Sequence, residues 1–204
     1  MRKIISIRKA RKYYHIDFED NTKIVVTEDT LLEYTLAKGK TLSDSDIEEI
    51  ERFNGKSMAL LKAVSYLGYG MRTEKQVKDK LAEKGIDKES IDYAVSKLSD
   101  YSYIDDTEYA FRYSQQYSNK YGPRKIEMKL RQKGIKAGLA KSAAESIPAE
   151  DEEAAAMKHI ERIRRRYPDL DTRSLNRKIY EALTRNGFKW SNVSHLLKDT
   201  DDYS

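Results

Sequence analysis

The chain has 204 residues, of which 36% are charged and 39% hydrophobic, and its formal net charge is +5. This length fits two small domains or one repeat array, and the polar composition suits an array, which has much surface for its core. The lack of cysteine excludes disulfides and thiolate metal sites. No apolar run is long enough for a signal peptide or a membrane span, so we expect a cytoplasmic protein without membrane contact.

The first thirty residues have a strand-type pattern. Ile5 and Ile7, and then the apolar residues of segment 14–18, alternate with polar residues. The pair Asp20-Asn21 supplies a turn, and residues 23–27 return from it. Alternation of this kind around a turn predicts a β-hairpin.

Two helices are predicted before residue 56. A short one covers 30–37, and a second begins after Ser43, where Ser45 and Glu48 have the spacing of a capping box. The pair Asn54-Gly55 then marks a boundary. Residues 1–55 are therefore predicted to form a small N-terminal domain of a β-hairpin and short helices.

The remainder of the chain repeats itself. KLAEKGI at 80–86 returns as KLRQKGI at 129–135, 49 positions later, and a further shift of 53 places Gly134 on Gly187. Periods of this size indicate a repeat architecture. We predict a mainly α fold of three tandem three-helix repeats, at 56–104, 105–148 and a divergent third at 149–199. A polar tail or truncation point follows at 200–204.

The recurring stretch is predicted to end the middle helix of each unit. Its leucine anchors the helix, and its lysine suits the negative helix end. Its glycine adopts the left-handed conformation that stops the helix, and its isoleucine packs the turn against the core. The structural repeat positions are Leu81, Gly85, Ile86, Asp106, Leu130, Gly134, Ile135 and Gly187.

Helix starts and helix faces are also predicted from the pattern. Thr73, Asp87 and Asp106 each precede an apolar-periodic segment, where a side-chain oxygen can cap the helix. In the first unit, Leu60 and Val64 have the spacing of residues that face a core.

The chain carries no arrangement of residues typical of an enzyme. Its three histidines are scattered without metal-ligand spacing. The triplet Gly39-Lys40-Thr41 imitates the end of a phosphate loop, but Tyr34 stands where that loop needs glycine. Asp105 and Asp106 lie where a helix begins and needs a cap. We therefore predict a non-enzymatic protein with no cofactor and no metal.

Four tyrosines lie at four-residue spacing, at 109, 113, 117 and 121, on one helical stripe. Stacking on nucleic-acid bases is one interpretation. Packing between repeats, with the hydroxyl groups at the rim, is the other, and it is the one we favour.

Positive charge is concentrated in the second unit. Between Arg112 and Lys141 there are nine basic residues and one acid, Glu127. Acids normally interleave on a solvated helix, so this stretch predicts a surface for a polyanion or an acidic partner. The arginines of segment 162–166 also cluster, but nearby acids offset them. The predicted binding surface comprises Arg72, Lys75, Lys78, Arg112, Lys120, Arg124, Lys125, Lys129, Arg131 and Lys133.

The motifs resemble those of a known family. LxYxMRTExxV at 67–77, LxxKGI at 81–86 and LxxYxYIDDxxYA at 98–110 are similar to the first repeat of the RecX regulatory proteins. KYGPRKI at 120–126 is similar to the second repeat. The likeness covers residues 1–147 and, more weakly, the third unit. Gly70 replaces an arginine that is common in the family, which removes one possible partner contact, and Thr73 replaces a serine.

The resemblance implies an elongated, curved array that binds the RecA recombinase filament on DNA, in its helical groove. It implies inhibition of the ATPase and strand-exchange activities of RecA, in recombination and DNA repair, without catalysis by the chain itself. Single- or double-stranded DNA, bound without sequence specificity, is the second expected partner, and a monomer is expected.

Two other classes stay open. A free-standing helix-turn-helix DNA-binding protein would read bases from a helix start, for which Arg124-Lys125 or Asn176-Arg177 are candidates. A peptide-binding helical scaffold is the third class, but it gives no reason for the basic stretch.

Overall fold

The computed structural model of the chain describes residues 1–200, with side chains through Leu197. It is mainly helical, with tandem three-helix domains after a small N-terminal strand region, which confirms the predicted fold class. The chain divides into two compact units, residues 1–104 and residue 105 onward. All but the first residue of the predicted tail or truncation point at 200–204 lie outside the described residues. Among the helices described, none combines the length and apolarity that crossing a bilayer requires.

The first unit opens with a four-stranded antiparallel sheet, larger than the predicted hairpin. The strands are β1 (Arg2–Ala10), β2 (Tyr13–Phe18), β3 (Lys23–Val26) and β4 (Thr41–Leu42), in the order β3-β2-β1-β4. A register shift between Ile4 and Ser6 interrupts the pairing of β1 with β2. Ile4 is buried, whereas Ile5 is 45% exposed.

One long helix joins the sheet to the first repeat. After α1 (Glu28–Glu33), α2 runs unbroken over Asp44–Leu67, so the boundary predicted at Asn54-Gly55 falls inside a helix. The Asn54 side chain accepts the backbone N–H of Thr27 at 3.0 Å and donates to the carbonyl oxygen of Val25 at 2.8 Å. Its polar groups therefore tie the helix to the sheet region instead of ending the helix.

The first repeat consists of the C-terminal half of α2 together with α3 (Glu74–Glu83) and α4 (Lys88–Asp100). In the C-terminal half of α2, Ala59 and Ala63 are wholly buried, whereas Val64 is 51% exposed. The predicted inward position of Val64 is therefore wrong by one residue. Gly55 fits this close packing, because a Cβ there would lie 2.8 Å from the Oγ of Ser90 on α4.

In its described residues, the second unit contains six α-helices before a 3₁₀ turn. They are α5 (Asp106–Ser118), α6 (Pro123–Gln132), α7 (Ala137–Glu145), α8 (Ala149–Arg166), α9 (Thr172–Arg185) and α10 (Trp190–Val193). The 3₁₀ turn covers Ser194–Thr200. Ile126, Leu130 and Ile135 lie in the apolar cluster of α5, α6 and α7. A separate cluster, which includes Ile160 and Leu183, joins α8, α9 and α10.

The same hydrogen-bonded turn ends α3, α6 and α9. Gly85, Gly134 and Gly187 have φ values of 73°, 96° and 83°, in the left-handed region that favours glycine. The residue after each glycine donates its backbone N–H to the carbonyl oxygen of the leucine five residues earlier. These pairs are Ile86 with Leu81 at 3.2 Å, Ile135 with Leu130 at 3.1 Å and Phe188 with Leu183 at 3.1 Å. The three turns share one C-terminal capping motif.

Two helix caps differ from the predicted ones. Ser43 and Asp46 form the capping box of α2, two residues before the predicted pair. The prediction that Asp106 caps α5 is wrong, because Asp105 is the cap and Asp106 is the first helical residue. The Asp105 side chain accepts two successive backbone N–H groups at 2.8 and 2.9 Å.

Candidate polyanion-binding cleft

The tyrosine stripe packs along the second repeat. The ring centroids of Tyr109 and Tyr113 are 6.1 Å apart, those of Tyr113 and Tyr117 are 4.4 Å apart, and those of Tyr117 and Tyr121 are 6.1 Å apart. The four rings lie against the buried cluster of α5, α6 and α7. Burial raises the pKa of Tyr113 from 10.0 to about 12. The stripe therefore has a packing role in its own repeat.

Lysines cover the exposed end of this stripe. The ammonium groups of Lys120, Lys125 and Lys129 lie 5.2, 4.7 and 5.2 Å from the ring centroid of Tyr121. Cations at this distance from a ring are attracted by its negative face. The pKa of Tyr121 is lowered, chiefly by its hydrogen bond with Lys120 and then by the positive charges around it. Lys133 lies 5.4 Å from the ring of Tyr113.

The C-terminal end of α9 meets the N-terminal end of α6. Gly122 donates its N–H to the carbonyl oxygen of Asn186 at 2.9 Å, and Arg124 donates its N–H to that of Gly187 at 3.1 Å. The Lys125 ammonium donates to the Asn186 side-chain oxygen at 3.1 Å. The carbonyl end of one helix thus satisfies the N–H end of another, with favourable dipoles.

The two backbone segments approach each other so closely at this joint that neither Gly122 nor Gly187 has room for a side chain. A Cβ at Gly122 would lie 2.4 Å from the nitrogen of Phe188, and one at Gly187 would lie 2.3 Å from the nitrogen of Lys125. Helix α8 joins the contact through His159, whose Nε2 is 3.0 Å from the carbonyl oxygen of Lys120. The second and third repeats are therefore fastened together backbone to backbone.

A concave site of about 720 Å³ lies beside this joint, between the start of α6 and the helices α8 and α9. We call it the basic cleft. Cationic side chains dominate its lining. They are Lys120, Lys125, Lys158, Arg162, Arg166, Lys178 and Arg185. Glu181 is the acidic residue among the described lining residues, and it pairs with Arg177 at 3.1 Å.

The positive charges of the cleft are not neutralised by acids. Within the described part of the chain, none of the seven is in an ion pair with a carboxylate. Lys178 lies 4.6 Å and Arg166 5.6 Å from the ring of Tyr167, which also lines the cleft. Cations held near aromatic rings, with no neutralising acid, make a site that suits phosphate groups.

The predicted basic residues of the first repeat have a different setting. Lys75 pairs with Asp79 at 2.6 Å, and Lys78 pairs with Glu74 at 2.7 Å. Arg72 lies 5.0 Å from the ring of Tyr66. Local acids therefore neutralise the two lysines, and this part of the predicted surface presents little net charge.

The predicted basic residues of the second repeat are divided. Lys120 and Lys125 line the basic cleft, and Lys129 lies beside them over Tyr121. Arg124 is exposed at the start of α6. Arg112 forms an ion pair with Glu108, and Arg131 lies 3.9 Å from Glu127.

Sequence analysis missed the contribution of the third repeat. Lys158, Arg162 and Arg166 are four residues apart on α8, so they share one face of that helix. Lys178 and Arg185 lie seven residues apart on α9, so they also share one face of their helix. The acids thought to offset them include the run 150–153, which lies at the other end of α8. The four-residue spacing of these cations identifies this face, whereas a count of charges over the whole segment does not.

These features define a protein of tandem three-helix repeats with a cationic cleft. Sequence models of the RecX first and second three-helix domains match residues 59–98 and 105–143. The regulatory protein RecX of Bacillus subtilis is 32% identical over 197 residues, which cover 96% of this chain and 75% of that protein. That of Leuconostoc mesenteroides is 32% identical over 210 residues, covering 99% and 79%.

Solved structures agree with this result. A crystal structure of a regulatory protein RecX superposes with a TM-score of 0.78 at 30% identity, covering 98% of this chain and all of that one. RecX from Lactobacillus salivarius gives a TM-score of 0.67 at 28% identity, covering 72% and 97%. The chain belongs to the RecX family, and its role is regulatory.

Proposed function

We propose that this protein binds the RecA filament on DNA, as a monomer, and lowers its ATPase and strand-exchange activities. Membership of a family of regulatory proteins supports this proposal and carries it. The protein acts by binding, without catalysis of its own, and it works in recombination and DNA repair.

The distribution of charge supports contact with a polyanion. Lys120, Lys125 and Lys129 gather around one ring, and the cations of α8 and α9 continue this positive region. A DNA-bearing filament presents repeated phosphates and protein protomers. Several weak contacts to such a lattice combine into strong binding, because each contact raises the effective concentration of the next.

The alternative of a base-reading helix finds less support. The start of α6, with Arg124 and Lys125, is joined through backbone hydrogen bonds to Asn186 and Gly187. A recognition helix needs its N-terminal residues free to enter a major groove. The other candidate, Arg177, is paired with Glu181.

The test is ATP hydrolysis by RecA on single-stranded DNA, with and without this protein. We expect the hydrolysis rate to fall as the protein is added. No effect at several-fold molar excess over RecA would reject the proposal. A sequence-specific footprint on duplex DNA in the absence of RecA would favour the helix-turn-helix alternative.

A further inference from the structure

We propose that the basic cleft binds a single strand of nucleic acid, and that the third repeat supplies most of the phosphate contacts. This inference rests on the proposed function, because it assigns the DNA contact to one place on the chain. That place shares Lys120 and Lys125 with the predicted surface, but its other cations lie on α8 and α9, outside that surface.

The first support is the arrangement of charge. Lys158, Arg162 and Arg166 follow one another along one face of α8, and four residues of a helix rise about 6 Å. An extended strand presents its phosphates one after another at a similar interval. Lys178 and Arg185 face them from α9 across the cleft. A strand lying along α8 would therefore meet cations on both sides.

The second support is the pair of aromatic rings. Tyr121 and Tyr167 both line the cleft, and each has cations near its ring. Proteins that bind single strands without sequence preference combine a basic groove with rings on which bases stack. In the free protein the lysines lie near the rings. When a base stacks on a ring, they can move outward to its phosphate.

The third support is size and preorganisation. A volume of about 720 Å³ has room for a short stretch of single strand. The hydrogen bonds of Gly122 and Arg124 with the end of α9 hold the walls in place before a ligand arrives. A preformed site loses little conformational entropy on binding, which favours affinity.

The experiment measures binding of a fluorescent fifteen-residue oligothymidylate to the full chain by anisotropy, with no RecA present. The test variant combines Arg162→Gln with Lys178→Gln. The matched control combines Lys75→Gln with Lys80→Gln, which removes two lysines that are paired with acids in the first repeat. Circular dichroism and the thermal midpoint check that all variants fold.

We expect the test variant to bind at least about tenfold more weakly and the control to change less than about threefold. The slope of log affinity against log salt should become shallower by about 0.7 for each phosphate contact removed. Tyr121→Leu should weaken binding by about fivefold or more through lost stacking, with an unchanged salt slope.

Several outcomes would overturn the inference. One is that the natural chain does not bind the oligonucleotide, and another is that the test and control variants lose equal affinity. A third is that the natural chain binds a duplex more tightly than the single strand and the test variant weakens both equally. Displacement of the oligonucleotide by an equal concentration of tripolyphosphate would mark a site for free phosphates instead. If the natural chain binds no strand but still slows RecA, this inference fails and the proposed function stands. If it binds the strand but leaves RecA unaffected, the proposed function fails and this inference stands.

Discussion

The backbone N–H of Gly122 lies 2.9 Å from the carbonyl oxygen of Asn186, so the start of α6 is capped by the end of α9. The residue order of the chain brings these groups together across more than sixty positions. Because the bond involves the main chain alone, side-chain changes leave it intact unless they add bulk. The joint thereby fixes the position of the third repeat on the second.

We expect Gly187→Ala to destabilise the third repeat far more than Gly85→Ala destabilises the first. Both positions have positive φ, which disfavours alanine by about 1–2 kcal/mol. At Gly187 the new Cβ also meets the nitrogen of Lys125 at 2.3 Å, whereas at Gly85 it meets nothing within 4 Å. The total loss at Gly187 should be about 3 kcal/mol or more.

Urea denaturation measures both losses. The one tryptophan, Trp190, lies in α10 and reports the third repeat by fluorescence. Gly122→Ala is a second probe, because its φ of −73° adds no strain and its loss comes from the clash alone. Equal destabilisation by the Gly187 and Gly85 variants would show that the joint is loose.

We expect Asp105→Ala to lower the free energy of unfolding by about 1 kcal/mol, because the start of α5 loses its capping acceptor. Asp105→Asn should lose only a few tenths, since its amide oxygen still accepts the two N–H groups. Chemical denaturation followed by circular dichroism measures the difference. Similar losses in both variants would mean that charge rather than capping is responsible.

Stability should fall between pH 10 and pH 12 because of Tyr113. Its pKa is raised from 10.0 to about 12 by burial and by its tyrosine neighbours. A raised pKa means that the folded state favours the protonated phenol. Its contribution to stability is present below pH 10 and is lost as the pH rises through the folded-state value. Tyr113→Phe should show a smaller fall.

Absorbance at the phenolate band provides the direct measurement. Tyr113→Phe should remove a late-titrating group, whereas Tyr121→Phe should remove an early one, because nearby lysines lower the pKa of Tyr121. If Tyr113→Phe leaves the late part of the curve unchanged, the ring is more exposed than its packing indicates.

Charge reversal should affect RecA inhibition according to local pairing. Arg124→Glu with Lys129→Glu should raise the concentration needed for half inhibition by at least about tenfold. Lys75→Glu with Lys80→Glu should have less than about threefold effect, because Asp79 and Glu83 already neutralise those lysines. Each double substitution changes the net charge by the same amount, so net charge alone predicts equal effects. Equal effects would therefore contradict the role of local pairing.

The repeat itself could be predicted because short segments of adjacent residues determine its turns. Leucine, glycine and a following apolar residue recur in sequence, and each set forms the same turn at Gly85, Gly134 and Gly187. Backbone conformation at such a turn depends on a few adjacent residues, so a short motif suffices to predict it.

The continuity of α2 and the presence of the cleft could not be predicted, for two different physical reasons. Asn54 and Gly55 are typical of a turn, but here both lie within a helix. The Asn54 amide is hydrogen-bonded to the backbone of Val25 and Thr27, and Gly55 leaves room for Ser90 of α4. The cleft depends on α9 docking on α6, which is a long-range contact with no local signal. A net charge summed over the segment offsets Arg162 and Arg166 with acids that include those at the far end of α8, so it hides the cationic face.

The continuity of α2 across Asn54-Gly55 has a mechanical consequence. With 24 residues, this helix is a rod of about 36 Å, with the sheet attached near one end and the first repeat near the other. A torque on the sheet is transmitted directly to that repeat, without a swivel between them.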